Sequence, residues 1–248
     1  MDTATAGAAA AAAAGGSDKR EYVRQIFSEI APRYDLLNHV LSMNVDKAWR
    51  KRAIEALRIP RAPRGSYLDL CAGTLDIAGQ MSKLKEFGGF VVAADFAEPM
   101  LRAGEGKLSA GKGSPVAADA LQLPARDGGF AGAIVAFGIR NVANLDAALK
   151  ETFRVLAPAG RFVILEFSLP RAPVLRTLYQ GYFNYVLPFF GRMISGHRTA
   201  YTYLPRSVAN FPVEEDLAAK MRAAGFSGVT WTSLTFGIAA IHVGERAA

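Results

Sequence analysis

Five short apolar runs punctuate the middle of this 248-residue chain, at residues 66–71, 90–95, 116–118, 133–137 and 162–167. Between them lie stretches suited to helices, most plainly residues 145–156, where Leu145, Ala148, Leu149 and Leu156 recur at helical spacing. Strands that are apolar throughout need cover on both faces, and a regular alternation of strand and helix gives a parallel sheet. The rhythm changes near the end. A helix over residues 213–224, closed by Gly225, precedes two runs at 228–234 and 238–243 with a turn near Gly237, the pattern of an antiparallel pair. The expectation is an α/β domain with a mostly parallel sheet and helices on both faces.

Upstream of the strands the pattern is helical. Val23, Ile26, Phe27, Ile30 and Ala31 share one face until Pro32, and a second helix beginning near Asp46 places Trp49, Ala53, Ile54 and Leu57 together before Pro60. The first sixteen residues are almost all Ala, Gly and Thr and read as a disordered tail, whose deletion should leave function intact. The domain reading is a tail over residues 1–19 and a single domain over 20–246, with a helical cap at 20–60 and an insertion at 169–212. No stretch reaches the roughly 18 uninterrupted apolar residues that a spanning helix needs. The lone cysteine, Cys71, forms no internal disulfide and suits a reducing, cytoplasmic setting. His39, His197 and His242 are scattered without metal-ligand spacing, so no metal is expected. The net charge of +7 favours anionic surroundings without naming one.

The most informative segment is YLDLCAGTLDIAGQM, residues 67–81: an apolar strand, the acid Asp69, a small-residue loop centred on Gly73, and a helix starting near Asp76. In open α/β sheets ligands sit beyond the carboxyl ends of the strands. The second strand ends in Asp95, 22 residues past Gly73, placed to take the two hydroxyls of a ribose. The third ends in Asp119-Ala120, able to bond an adenine edge. A pyrophosphate wants Gly-x-Gly-x-x-Gly, and this loop offers one glycine and the negative charge of Asp69 and Asp76. A ligand bearing a sulfonium and an amino group fits better, which points to S-adenosylmethionine.

Several blocks then carry a resemblance: RYDLLNHVLSMNVDKAWR (33–50), YLDLCAGTLDIA (67–78), DFAEPML (95–101), AFGIRNVANLDAALKETFRVLAPAGRFVILEFS (136–168) and AAGFSGVTWTSLTFGIAAIHVG (223–244). Together they resemble the quinone-biosynthesis C-methyltransferases of the ubiquinone and menaquinone pathways. The resemblance implies a class I SAM-dependent methyltransferase, Rossmann-like, with a seven-stranded, mostly parallel sheet whose last strand is antiparallel. It further implies a prenylated quinol as methyl acceptor. It assigns Thr74, Asp95, Asp119 and Ala120 to the cofactor, with Asp69 and Gly73 shaping the loop. The chain departs from the family pattern at Ala72, Leu75 and Ala136, and carries Asp46 where some relatives have His, which argues against a catalytic histidine there. A positive φ at Leu75 would carry strain that glycine avoids.

Methylating a ring carbon needs electron density pushed into the ring by loss of a hydroxyl proton, and in-line placement worth on the order of 7–11 kcal/mol in favourable cases. Arg140 is the candidate cation for the developing quinolate, Asn141 the group that orients a hydroxyl or water, and Tyr34 a lid residue that bonds the ring hydroxyl. Arg140-Asn141 also reads as a helix-capping and ion-pair element, Tyr34 and Asn38 as helix-end residues, Asp35 as an arginine's partner, and Glu166 as a carboxylate paired with Arg154 or Arg161.

The insertion is rich in Tyr179, Tyr182, Phe183, Tyr185, Phe189 and Phe190, and suits a lid over a prenyl tail, packed core, or a foot on the inner face of the membrane. In the last case Arg171, Arg176, Arg192 and Arg198 would meet lipid phosphates. A homodimer stays open, as does the choice between naphthoquinol and benzoquinol, with YLPRSVANFP closer to menaquinone-pathway members. The alternatives are a SAM-binding protein without turnover and a methyltransferase of another lipophilic or RNA substrate. The scattered bases and the lack of a target-base motif argue against nucleic acid.

Overall fold

The computed structural model describes residues 17–35, 42, 44–181, 203 and 207–248. The first sixteen residues, Asn38, His39, His197, and the insertion's Tyr182, Phe183, Tyr185, Phe189, Phe190, Arg192 and Arg198 lie outside the described residues. In chain order the elements are α1 (Ser17–Ile30), α2 (Val45–Ala56), β1 (Ser66–Leu70), α3 (Asp76–Ser82), β2 (Phe90–Asp95), α4 (Glu98–Ala103), β3 (Gly113–Ala117), β4 (Phe130–Ala136), α5 (Leu145–Val155), β5 (Leu156–Phe167), α6 (Pro173–Gly181), α7 (Glu214–Ala223), β6 (Ser227–Leu234) and β7 (Ala239–Glu245).

The strands form one seven-stranded sheet in the order β3-β2-β1-β4-β5-β7-β6. β1 to β5 pair in parallel, and β7 inserts antiparallel between β5 and β6. The order reverses between β1 and β4, so the crevice of an open α/β sheet opens at their carboxyl ends. Side chains alternate across the strands, as the two-residue period demands. Ile134, Val163 and Leu165 join a core with Trp49, Ile54 and Met81 on one face, while Ala133, Val135, Phe162 and Ile164 join Leu149, Leu217 and Met221 on the other.

Helix boundaries follow local chemistry. The Asn144 side chain accepts from the Ala147 N–H at 3.0 Å and starts α5. α7 carries Glu214, Glu215 and Asp216 in its first turn and Lys220 and Arg222 in its last, matching the helix dipole. β5 starts at Leu156, which the sequence reading placed at the end of the preceding helix, and two helix starts also differ from expectation. α1 starts at Ser17, inside the segment read as tail. Asp46 does not cap α2: Asn44, left-handed at φ 61°, precedes the helix, and the Asp46 carboxylate is taken by Ser42 Oγ at 2.6 Å and Arg50 Nε at 3.4 Å. α1 turns Val23, Ile26 and Ile30 onto Tyr179, Tyr203 and Val208, so the cap and the insertion share a small core of their own. Among the described residues, no helix is long and apolar enough to cross a membrane.

Candidate active site

The loop after β1 is built from three left-handed residues in alternation, Cys71 (φ 52°), Gly73 (φ 52°) and Leu75 (φ 64°). Only at Gly73 is that conformation free of cost. A left-handed Leu75 costs about 1–2 kcal/mol, but its side chain is 1% exposed in the main core, and burying a leucine contributes about 1.5–3 kcal/mol. Burial therefore holds the strained backbone. Asp69 Oδ2 accepts the Ala78 N–H at 3.0 Å and pins the loop to α3. Burial raises the Asp69 carboxyl to about 8, against the pull of that N–H and of Arg50.

Beyond the strand ends lies an open cleft, walled by Cys71 and Gly73 after β1, Asp95 and Phe96 at β2, Ala118, Asp119 and Ala120 after β3, and Ala136, Phe137 and Gly138 at β4. Asn141, Val142 and Ala143 continue the wall, and α1 with the segment after it supplies Arg20, Val23, Phe27 and Tyr34. Asp95 is 8% exposed. Its Oδ2 accepts the Gly73 N–H and its Oδ1 the Ala97 N–H, both at 2.8 Å. Burial pushes the Asp95 carboxyl up and these N–H groups, with that of Phe96, pull it back. An ionised carboxylate has about four acceptor positions, so these N–H groups leave acceptor capacity for a ligand hydroxyl. Asp119 accepts the Leu121 N–H at 3.0 Å and pairs with Arg20 of α1 at 3.1 Å, so the cap closes on the third strand end. A Cβ on Gly138 would lie 2.4 Å from the Cys71 Cβ; glycine lets the loop after β4 approach the loop after β1. Burial pushes the Cys71 thiol well above its ordinary range, so it offers no thiolate.

Arg140 sits differently from the sequence expectation. Among the described residues, those lining this cleft do not include it. Its Nη1 meets Glu166 Oε1 at 2.6 Å and also donates to the Phe137 carbonyl at 2.5 Å, while its Cζ lies 5.4 Å from the Phe167 ring centroid. Glu166 additionally accepts the Phe167 N–H at 2.9 Å and the Arg140 N–H at 3.4 Å. A buried carboxylate in a low-dielectric interior takes the nearest cation, and the pair stitches the 139–141 turn to β5. Burial opposes the guanidinium's charge and Glu166 holds it there; burial pushes the Glu166 carboxyl up and Arg140 pulls it back. The pairings expected for Glu166 go elsewhere: Arg154 binds Glu151 and Asp127, and Arg161 binds Glu245. Arg140 instead faces a neighbouring cavity shared with Lys19, Tyr203, Ser207 and Phe211.

Thr74, expected on the cofactor, is 3% exposed and donates its hydroxyl to Asp35. Asp35 also accepts from Lys107, not from an arginine, and Lys107 reaches Asp76 at 2.6 Å. Arg50 lies 3.7 Å from Asp76 as well. The negative charge that Asp76 brings to the loop is thus balanced within the fold, and the Asp35–Thr74 contact ties the cap to the loop. No spacing in the chain announces Lys107, Arg20, Glu166 or Tyr203 as neighbours of the site.

The profile of the ubiE/COQ5 methyltransferase family matches residues 16–246. The chain belongs to the ubiE/COQ5 methyltransferase family. A demethylmenaquinone methyltransferase of Thermus thermophilus is 52% identical over 224 residues, covering 89% of this chain and 100% of that one. A ubiquinone/menaquinone biosynthesis C-methyltransferase UbiE of Geobacter sulfurreducens is 40% identical over 237 residues, covering 93% of this chain and 90% of its own length. Among solved structures, a SAM-dependent methyltransferase, possible histamine N-methyltransferase, of Thermotoga maritima superposes with a TM-score of 0.62 at 18% identity, over 90% of this chain and 99% of that chain. At that identity the likeness speaks for the fold.

A ubiE/COQ5 methyltransferase uses S-adenosylmethionine, and the cleft suits it. Asp95, Asp119 and Ala120 line the cleft at the strand ends, and Gly73 lines it in the loop after β1. Phe96 and Met100 add aromatic and apolar surface at the β2 side, where a sulfonium could lie against the ring. Among the described residues, no group of three or more His, Cys, Asp and Glu could hold a metal ion.

Proposed function

We propose that this methyltransferase methylates a ring carbon of a prenylated quinol, converting demethylmenaquinol to menaquinol. The observation that carries the reading is the division of the cleft. Its charged wall residues, Arg20, Asp95 and Asp119, gather at the nucleoside end, and Arg20 is itself paired with Asp119. The remaining described wall, with Phe27, Phe137, Val142 and Ala143, is apolar apart from the Tyr34 hydroxyl and the Asn141 amide. A neutral, lipophilic ring with one hydroxyl to be recognised fits that wall, and a polyanion does not. The name of the Thermus relative supports the naphthoquinol over the benzoquinol.

Bound SAM supplies a methyl group made electrophilic by its sulfonium. The chain's part is placement and electrostatics. Asp95 would hold the sugar and Gly73 would admit the cofactor to the loop after β1. Asn141, on the wall, donates to the ring oxygen as the hydroxyl gives its proton to solvent water in the open cleft and becomes quinolate, and Tyr34 bonds the ring hydroxyl from the cap side. Arg140, bound by Glu166, holds the turn that presents Asn141. A prenyl tail brings the reaction to a bilayer, and the start of α6 supports contact there: Val174 is 75% exposed, beside exposed Arg171 and Arg176.

The test is direct. Purified full-length chain, SAM and demethylmenaquinol in detergent micelles should yield menaquinol and S-adenosylhomocysteine in equal amounts by mass spectrometry. Calorimetric SAM binding with no methylated quinol would overturn the reading in favour of a binding protein. Selective methylation of RNA would overturn it in favour of another acceptor. Cosedimentation with anionic vesicles that is no greater than with neutral ones would remove the membrane contact.

A further inference from the structure

Asn141 is 8% exposed on the cleft wall, and an amide side chain there can present either its carbonyl or its NH2 to a ligand. The two faces have opposite consequences for a ring oxygen gaining negative charge. One described residue bears on the choice. The Tyr203 hydroxyl lies 3.1 Å from Asn141 Oδ1. Tyr203 is 4% exposed and packs edge-on against Tyr22 of α1, with ring centroids 6.0 Å apart. Burial pushes its hydroxyl up to about 12, so it remains a neutral donor. A phenol has a single proton to give, and giving it to Oδ1 leaves the two Nδ2 hydrogens as the amide's outward face.

We infer that Tyr203 is a positioning residue for the methyl transfer: its O–H locks the Asn141 amide so that N–H, not C=O, faces the acceptor's ring oxygen. The inference rests on the proposed quinol methylation. It gives Tyr203, in the segment read as an insertion, a part in the chemistry. Tyr203 comes from that insertion, Tyr22 from the cap and Asn141 from the turn after β4, so the donor is aligned only when all three are docked. The charged and titratable groups around this pair are Arg140 on the same turn, Glu166 on β5, Lys19 and Tyr22 on α1, Lys220 on α7, and Tyr34. In a Tyr203→Phe protein the ring still fills its place while the amide is free to turn its carbonyl toward the quinolate, where like charge repels.

The experiment compares wild type, Tyr203→Phe, Asn141→Ala and the double variant as full-length proteins with demethylmenaquinol and SAM. Tyr203→Phe should lower kcat roughly tenfold, leave the SAM dissociation constant unchanged, and move the acid limb of the pH–rate profile up by about one unit, the same tenfold expressed in ionisation of the bound acceptor. In the Asn141→Ala background the Tyr203 substitution should cost nothing further. The inference is overturned if Tyr203→Phe keeps the wild-type rate and pH profile, or if it lowers activity equally with and without Asn141. An inactive wild type would instead sink the quinol reading, so the two failures are read from different proteins.

Discussion

The Gly73 N–H donates to Asp95 Oδ2 at 2.8 Å, joining the loop after β1 to the acid that ends β2. Since the Ala97 N–H occupies Oδ1 at the same distance, both carboxylate oxygens are acceptors from the backbone. An asparagine at this position would point its NH2 at a backbone N–H. Asp95→Asn is therefore expected to weaken SAM binding by about 2–3 kcal/mol, the loss of charge-assisted hydrogen bonds, read by titration calorimetry as an increase in Kd of roughly 30- to 150-fold. A change within threefold would remove Asp95 from the ribose.

Leu75 sets backbone strain against burial. Substituting glycine would relieve about 1–2 kcal/mol of left-handed strain and sacrifice a buried leucine whose truncation alone typically costs about 2–5 kcal/mol. Leu75→Gly should therefore be less stable by about 2 kcal/mol in denaturant titration, even though glycine relaxes the loop. A variant that melts higher than wild type would show that strain dominates.

What the chain discloses beforehand is what period and spacing can encode. Ile134 and Val135 fall on opposite faces because strand neighbours must, and Asp95 is found 22 residues past Gly73 because a βαβ unit has a fixed span. The partners of Arg140, Asp35 and Asp119 are not encoded that way. Glu166 lies 26 residues from Arg140, Lys107 lies 72 from Asp35, and each meeting depends on how whole elements pack. Thr74 has the right position to touch a cofactor and is claimed by Asp35. Asp46 has the right chemistry for a cap and is claimed by Ser42 and Arg50. Local propensity loses wherever a buried charge needs a partner.

Asp69 ties pH to stability. Its carboxyl is raised from 3.8 to about 8 by burial, so as pH rises the unfolded chain releases this proton first. The group's contribution is complete below about pH 4 and declines by about 1.4 kcal/mol per pH unit until the folded carboxyl ionises. Asn in its place keeps an oxygen for the Ala78 N–H and does not titrate. Without cofactor, Asp69→Asn should gain on wild type steadily between pH 5 and about pH 8 in urea denaturation. A stability difference independent of pH would show that Asp69 is ionised throughout.

The Arg140–Glu166 pair separates stability from function. Glu166 is 2% and Arg140 8% exposed, and removing one partner strands the other charge, which typically costs about 3–5 kcal/mol. Replacing both with apolar residues of similar size removes the stranded charge and is often neutral or stabilising. Glu166→Gln is expected to destabilise strongly, and Arg140→Met with Glu166→Leu to recover at least half of that loss in guanidinium denaturation. Methylation should not return with it, because Arg140 also donates to the Phe137 carbonyl and its own N–H rests on Glu166. Those bonds shape the turn that presents Asn141. A double variant that is both stable and fully active would mean that the turn holds itself and that the pair serves the fold alone.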